Sequence, residues 1–172
     1  IVQNDAIKFV DDKMNINRQQ DSNWLQVIEE CPTRALQFDS KYYNLTEIMQ
    51  EITKDEAFFK YGGGVTLSGG EPLFQHEFAL AILKACKQKN LHTAIETSLF
   101  VKREVLAKIL PYVDEFYTDL KIFNNDWHKK CTNVDNQVIK DNLKFLLQTD
   151  KKDCVIVRTP LIPTLTATKE NI

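Results

Sequence analysis

The sequence predicts an α/β fold in which residues 44–172 form a parallel sheet with helical crossovers and residues 1–43 form a small appendage. Beyond residue 44, short β-forming runs alternate regularly with amphipathic helical patterns, which is typical of a parallel βα sheet, open or closed into a barrel. Before that point the pattern is irregular and more polar. Four such strands are predicted after the appendage.

The composition disfavours two classes of partner. The 172 residues are 43% hydrophobic, which suits a globular domain, and 22 basic against 24 acidic residues give a net charge of −2. This balance gives no electrostatic basis for binding nucleic acid or a membrane surface. No apolar run is long enough to span a bilayer and the first residues do not resemble a signal peptide, so we expect a cytoplasmic location.

The appendage is predicted to contain a strand, a helix and a second short strand. The run AIKFV indicates the first strand, and WLQVIEECPTRALQF indicates a helix that continues into the second. One face of the next helix is apolar, at Leu45, Ile48, Met49 and Ile52. Asn44 or Thr46 is expected to be its N-cap.

The remaining elements alternate. They are strand GVTLS, helix FQHEFALAILKACKQKN, strand HTAIET, helix VKREVLAKIL, strand EFYTDLK, helical stretches NNDWHKK and NQVIKDNLKFLLQ, and strand CVIVRTPLI. The final residues, TKENI, are predicted to begin another helix. Since the pattern stops there, we expect a truncated chain.

The stretch GGGVTLSGGEPLFQ, residues 62–75, predicts a strand, a tight turn and a helix. Gly69 and Gly70 would let a ligand approach the backbone closely, and Glu71 follows at the start of the helix. The glycine pair is also compatible with a turn that is merely tight. A third reading is a phosphate-binding βα enzyme, although the Gly-Lys-Ser/Thr ending of a P-loop is absent.

Polar residues follow all four predicted strands of the sheet. They are Ser68 to Glu71, Glu96 to Ser98, Asp119 with Lys121, and Arg158. Because the C-terminal ends of parallel strands share one face, we expect these side chains to converge around a ligand. Each one also has a structural explanation: an N-cap at Thr97 and Ser98, an ion pair between Asp119 and Lys121, and a loop contact for Arg158.

The string VTLSGGEPL resembles the second-strand signature of radical S-adenosylmethionine (SAM) enzymes, specifically the activating enzymes of glycyl radical enzymes. Further segments are similar to later strand ends of that family, namely IETS, YTDLK and VRTPLIP, and His128 matches a histidine in a helix of the family. The resemblance extends over residues 31–172. It implies that the sheet is part of a radical SAM (β/α)6 barrel.

The resemblance also implies roles for individual residues. Residues placed at the cofactor are Ser68, Gly69, Gly70, Glu71, Glu96, Thr97, Lys121 and Arg158. The Gly-Gly-Glu-Pro turn would receive the SAM ammonium and Lys121 the SAM carboxylate, and Lys121 and Asp119 would be the catalytic pair. Glu96, Thr97 and Asp119 would supply oxygen ligands to a monovalent cation or orient SAM directly.

The implied reaction requires partners. A reduced [4Fe–4S] cluster would cleave SAM, and the resulting radical would remove hydrogen from a backbone glycine of a glycyl radical enzyme such as pyruvate formate-lyase. Flavodoxin or ferredoxin is the implied electron donor. The alternative is a catalytically inactive, shortened paralogue that binds SAM or the partner without radical chemistry.

Several positions depart from the family pattern. Ser98 and Leu99 replace the usual Asn-Gly, which is expected to put a side chain where close backbone approach is needed, and Asn133 replaces a glycine. The cluster-binding motif C-x3-C-x2-C does not occur, so we expect those ligands to lie upstream of Ile1.

The four cysteines give no metal or disulfide pattern. Cys86 and Cys154 are predicted to be small core side chains, and Cys31 resembles the last cysteine of a ferredoxin motif. The other ligand positions of that motif hold Asp21, Trp24 and Val27. Residues 1–43 are therefore interpreted as a degenerate ferredoxin-like insert. A helix end stopped by a proline is the other explanation.

Overall fold

A computed structural model describes residues 6–11, 13–20 and 23–171 and divides the chain into two units. The first unit is Ile1–Tyr43 and the second is Asn44–Ile172. The descent of the first unit from a ferredoxin-like domain stays a prediction. No helix in the described ranges has both the length and the apolar character needed to span a membrane.

The first unit contains a hairpin. Strands β1 (Ile7–Val10) and β2 (Lys13–Ile16) pair antiparallel, and Asp11 adopts the left-handed φ of 50° that suits a tight hairpin turn. The predicted strand in β1 is confirmed. Strand β2 was not predicted from the sequence; it is only four residues long and its side chains are mostly exposed.

One helix follows the hairpin. Helix α1 (Trp24–Glu29) is capped by the Asn23 side chain, which accepts a hydrogen bond from the Gln26 amide, and it buries Val27. The second predicted strand of this unit is wrong, since residues 31–43 form turns and irregular structure. Strand β1 pairs instead with β2, the next strand in the sequence.

The second unit carries the sheet. Its elements are α2 (Leu45–Lys54), α3 (Glu56–Phe59), β3 (Gly64–Leu67), α4 (His76–Gln88), β4 (His92–Thr97), α5 (Arg103–Ile109), β5 (Glu115–Asp119), α6 (Asn125–Thr132), α7 (Gln137–Leu147) and β6 (Val155–Arg158). Asn44 caps α2 through a reciprocal capping box with Glu47, which confirms the first of the two predicted caps. Short 3₁₀ turns precede α4 and β6 and follow α5.

The four strands of this sheet are parallel and adjacent in sequence order, β3-β4-β5-β6. This arrangement confirms the predicted α/β class. The register aligns Leu67 with Ile95, Ile95 with Phe116, and Phe116 with Val155. Since side chains alternate between faces along a strand, this row defines the face that the helices cover.

The hydrophobic core lies between that face and the helices. Its buried members are Leu73, Leu83, Ile95, Leu99, Leu106, Ile109, Val113, Phe116, Ile139 and Leu146. Cys86 is buried as predicted, whereas Cys154 is only half-buried. The core therefore fixes the sheet and leaves its other face for polar groups.

The chain does not form the predicted helix at its end. Residues 163–171 are turns and bends. The Asn171 side chain donates to the carbonyl oxygens of Lys121 and Thr166 and accepts from the Phe123 amide. These contacts satisfy backbone groups of two separate segments, which holds the end of the chain against the loop that follows β5.

Candidate functional site

The face of the sheet opposite the helices carries the charged side chains. The register aligns Glu96 with Tyr117 and Asp119 with Arg158, so these four side chains point to one face. All four are half-buried. This arrangement concentrates charge at the C-terminal ends of three neighbouring strands.

A continuous series of contacts, the strand-end chain, joins Ser68, Glu96, Arg158, Asp119 and Lys121. The Ser68 hydroxyl donates to Glu96 Oε2 at 2.9 Å, and Arg158 Nη1 donates to Glu96 Oε1 at 3.0 Å. Arg158 Nε donates to Asp119 Oδ1 at 3.2 Å, and Lys121 Nζ lies 3.4 Å from Asp119 Oδ2. Residues from the ends of all four strands thus meet, as their positions in the sequence led us to expect.

The electrostatics of this chain favour its charged form. The pKa of Glu96 is lowered, first by the hydrogen bond from Arg158 and then by that from Ser68. The pKa of Arg158 is raised, chiefly by its hydrogen bond to Glu96. Glu96 is therefore ionised at neutral pH, and the guanidinium remains paired with it.

The glycine turn beside this chain is open. Gly69 has a φ of 114°, which disfavours any side chain, and a Cβ built on Gly69 or Gly70 meets no atom within 4 Å. A ligand can therefore reach the backbone there. The open backbone lies next in sequence to Ser68, and the strand-end chain supplies carboxylates and an ammonium. These carboxylates, the ammonium and the open backbone fit a small zwitterion such as the amino-acid part of SAM.

Glu71 and Thr97 belong to a different network. Glu71 Oε1 accepts from the Leu73 amide at 3.2 Å and the Thr97 hydroxyl at 2.8 Å. Its Oε2 accepts from the amide and hydroxyl of Ser98 at 2.8 and 2.6 Å. The Thr97 hydroxyl also accepts from the Leu99 amide at 3.0 Å. The carboxylate thus ties the glycine turn to the loop that follows β4.

Two departures from the family pattern have conformational explanations. Leu99 has a φ of 60° but is 1% exposed and packs in the core, so the expectation that its side chain obstructs a ligand is wrong. Asn133 has a φ of 62° at the C-terminus of α6, a position that asparagine tolerates as glycine does. Both residues keep the backbone shape that a glycine would adopt.

His128 lies apart from the strand-end chain. It is buried at 4% exposure, and its Nδ1 lies 2.9 Å from the Val134 carbonyl oxygen and 3.1 Å from the Thr132 hydroxyl. These contacts stabilise the end of α6.

Sequence reasoning missed two residues that shape the site. Tyr117 lies beneath the Arg158 guanidinium, whose carbon is 5.6 Å from the ring centroid, and alternation from Asp119 would have placed it on this face. Asn142 on α7 donates to the carbonyl oxygens of Leu99 and Val101, which holds the loop after β4. No pattern in the sequence indicates that contact.

A metal centre is not assembled within the described ranges. No group of three or more His, Cys, Asp or Glu side chains there has an arrangement that could hold a metal ion. The described cysteines, Cys31, Cys86, Cys131 and Cys154, are all free. The described residues therefore do not fit an iron–sulfur cluster, whereas those of the strand-end chain and the glycine turn fit the amino-acid part of SAM.

The fold is a parallel βα domain with a cluster of charged side chains at the C-terminal ends of its strands. The family model of the Radical SAM superfamily matches residues 31–171. The chain therefore belongs to the radical SAM superfamily.

Two named relatives match this chain over nearly its whole length. A 4-hydroxyphenylacetate decarboxylase activating enzyme of Clostridioides difficile (strain CD196) is 37% identical over 172 residues, covering 98% of this chain and 54% of the relative. A (2S)-3-sulfopropanediol dehydratase activating enzyme of Klebsiella oxytoca is 37% identical, covering 99% and 54%. The chain thus spans about half the length of the curated relatives that it matches.

A solved structure supports the same family. The crystal structure of a domain of pyruvate-formate lyase-activating enzyme from Bacteroides vulgatus ATCC 8482 has a TM-score of 0.56 and 33% sequence identity. The match covers 63% of this chain and 66% of that chain. The predicted partial radical SAM barrel is confirmed by this similarity and by the parallel sheet.

Proposed function

We propose that this chain is part of an activating enzyme that binds SAM and generates a glycyl radical on a partner enzyme, with pyruvate formate-lyase as one candidate partner. The family membership and the activating enzymes among its relatives support this proposal. One structural observation carries it: the strand-end chain links four consecutive parallel strands beside an open Gly69-Gly70 backbone.

Different residues of the site bind the carboxylate and the ammonium of SAM. Lys121 offers an ammonium to the SAM carboxylate, since its side chain is 51% exposed and its contact with Asp119 is a long one of 3.4 Å. Asp119 holds Lys121 in position. The exposed backbone of Gly69 and Gly70, with Glu96 nearby in the strand-end chain, would receive the SAM ammonium.

The proposed chemistry also needs a reduced [4Fe–4S] cluster, which together with SAM supplies hydrogen-atom abstraction, here from a backbone glycine. The motif C-x3-C-x2-C is absent from these 172 residues, so this chain provides none of those ligands. Such a reaction consumes one electron, and flavodoxin or ferredoxin is the proposed donor. The contribution proposed for this chain is to bind and orient SAM.

Lys121→Ala tests this contribution. Loss of a charge-assisted contact should weaken SAM binding roughly ten- to a hundred-fold in a calorimetric titration. Thermal stability should change little, because a half-exposed ion pair contributes about 0–1 kcal/mol. Lys144→Ala is the matched control: Lys144 is exposed on α7, in the helical layer, so its removal should alter neither quantity.

Three outcomes would contradict the proposal. Unchanged SAM affinity with a lowered melting temperature would show that Lys121 and Asp119 are a structural pair. Displacement of SAM by inorganic phosphate would favour the phosphate-binding alternative. SAM binding without any glycyl radical on a partner, measured by electron paramagnetic resonance in the complete protein with its cluster, would favour the inactive paralogue.

A further inference from the structure

The guanidinium of Arg158 lies between two carboxylates from neighbouring strands. Its Nη1 donates to Glu96 Oε1 at 3.0 Å and its Nε to Asp119 Oδ1 at 3.2 Å. The ring of Tyr117 supports it, with the guanidinium carbon 5.6 Å from the ring centroid. One fixed positive charge therefore bridges the two acidic side chains that the family resemblance implied as ligands of a monovalent cation.

The third implied cation ligand points elsewhere. Successive side chains of β4 alternate between faces, so Thr97 lies on the helix-covered face and is 3% exposed, whereas Glu96 lies on the charged face. The Thr97 hydroxyl donates to Glu71 and accepts from Leu99. The side-chain oxygens of Glu96, Thr97 and Asp119 thus do not converge on one point, and a hard cation requires several converging oxygen ligands.

We propose that Arg158 takes the place of a free monovalent cation in this chain, so that SAM binding does not depend on sodium or potassium ions. This inference rests on the proposed function and deepens it. Arg158 and Lys121 together balance Glu96 and Asp119, so the strand-end chain is neutral without an added ion. The hydrogen bond from Arg158 is also the main reason that the pKa of Glu96 is lowered.

The bridge also explains how Lys121 becomes available to a ligand. Asp119 has two partners, Arg158 on Oδ1 and Lys121 on Oδ2. When Lys121 turns to a ligand carboxylate, Arg158 Nε still donates to Asp119 Oδ1. Two neighbouring carboxylates without that guanidinium would repel each other and would attract a cation from solution.

The test compares cations at constant ionic strength. SAM affinity and the melting temperature of the ligand-free chain are measured in potassium, sodium and tetramethylammonium chloride, the last being too bulky to enter a carboxylate site. The SAM affinity of the wild-type chain should differ by less than about twofold among the three salts. Its melting temperature should be the same in all of them. Arg158→Gln should lose roughly tenfold in affinity in tetramethylammonium and recover part of it in potassium or sodium. The melting temperature of Arg158→Gln should be higher in potassium or sodium chloride than in tetramethylammonium chloride.

Two further variants keep the test decisive. Arg158→Lys retains the charge and should remain cation-independent, which also covers the case in which Arg158→Gln does not fold. Arg103→Gln removes a guanidinium bound to Asn142 and the Asp141 carbonyl oxygen, away from the strand-end chain, so it should lower stability without any cation response.

A wild-type chain whose affinity or melting temperature rises with potassium would overturn the inference. So would an Arg158→Gln variant that responds to no cation. If the chain does not bind SAM at all, the proposed function fails, but the melting temperatures still decide whether Arg158 occupies the place of a cation.

Discussion

Glu71→Gln should destabilise the βα domain although it changes almost no volume. The Glu71 carboxylate accepts four hydrogen bonds, two on each oxygen, from Leu73, Thr97 and Ser98. A glutamine amide offers only one acceptor oxygen, and its NH2 group must face donors on the other side. In either orientation a backbone amide, that of Leu73 or Ser98, loses its acceptor.

The size of the effect follows from these contacts. Loss of one hydrogen bond from a backbone amide to this charged, half-buried acceptor corresponds to about 1.5–3 kcal/mol. For a chain of 172 residues this is a decrease in melting temperature of roughly 3–12 °C. Thermal and urea denaturation, followed by circular dichroism, measure it directly.

Glu77→Gln is the control for this substitution. Glu77 is exposed in the first turn of α4, where a carboxylate interacts with the helix dipole by less than about 1 kcal/mol. If both variants melted at the wild-type temperature, the hydrogen bonds of Glu71 would not contribute to stability. The prediction from the sequence that Glu71 binds the ligand directly would then be favoured.

Two further predictions concern stability. Burial acts to raise the pKa of Asp114, but hydrogen bonds from Lys87 and Thr93 outweigh it and hold that pKa below its ordinary value. Such a carboxylate stabilises the fold fully above its unfolded pKa of about 3.9, and this contribution is lost as pH falls through the folded pKa. The stability difference between wild type and Asp114→Asn in urea denaturation should therefore be constant above about pH 5 and shrink below about pH 4; a constant difference in acid would contradict this. Leu99→Ala should destabilise by about 2–5 kcal/mol, since Leu99 is buried in the core. Leu99→Gly should be at least as stable as Leu99→Ala, because glycine relieves a left-handed backbone strain of about 1 kcal/mol. A glycine variant clearly less stable than the alanine variant in the same assay would show that this strain is absent.

The sequence determined the order and type of most elements in the second unit. Strand HTAIET coincides with β4, and the helices predicted around α5 and α7 are present within a few residues. These segments are long or strongly periodic, so burial of one face dictates their structure. The appendage was less predictable, because its hairpin strands are short and mostly exposed.

The sequence also located the polar residues at the strand ends, because parallel strands must bring their C-terminal ends to one edge. Only the tertiary structure decided which of them contact each other. Glu96 and Thr97 are neighbours in sequence but lie on opposite faces of the sheet, and Arg158 reaches Glu96 across β5. The Leu99 side chain packs in the core, and its carbonyl group accepts a hydrogen bond from Asn142, 43 residues further on. Such contacts depend on strand register and on packing between distant segments, which local periodicity does not encode.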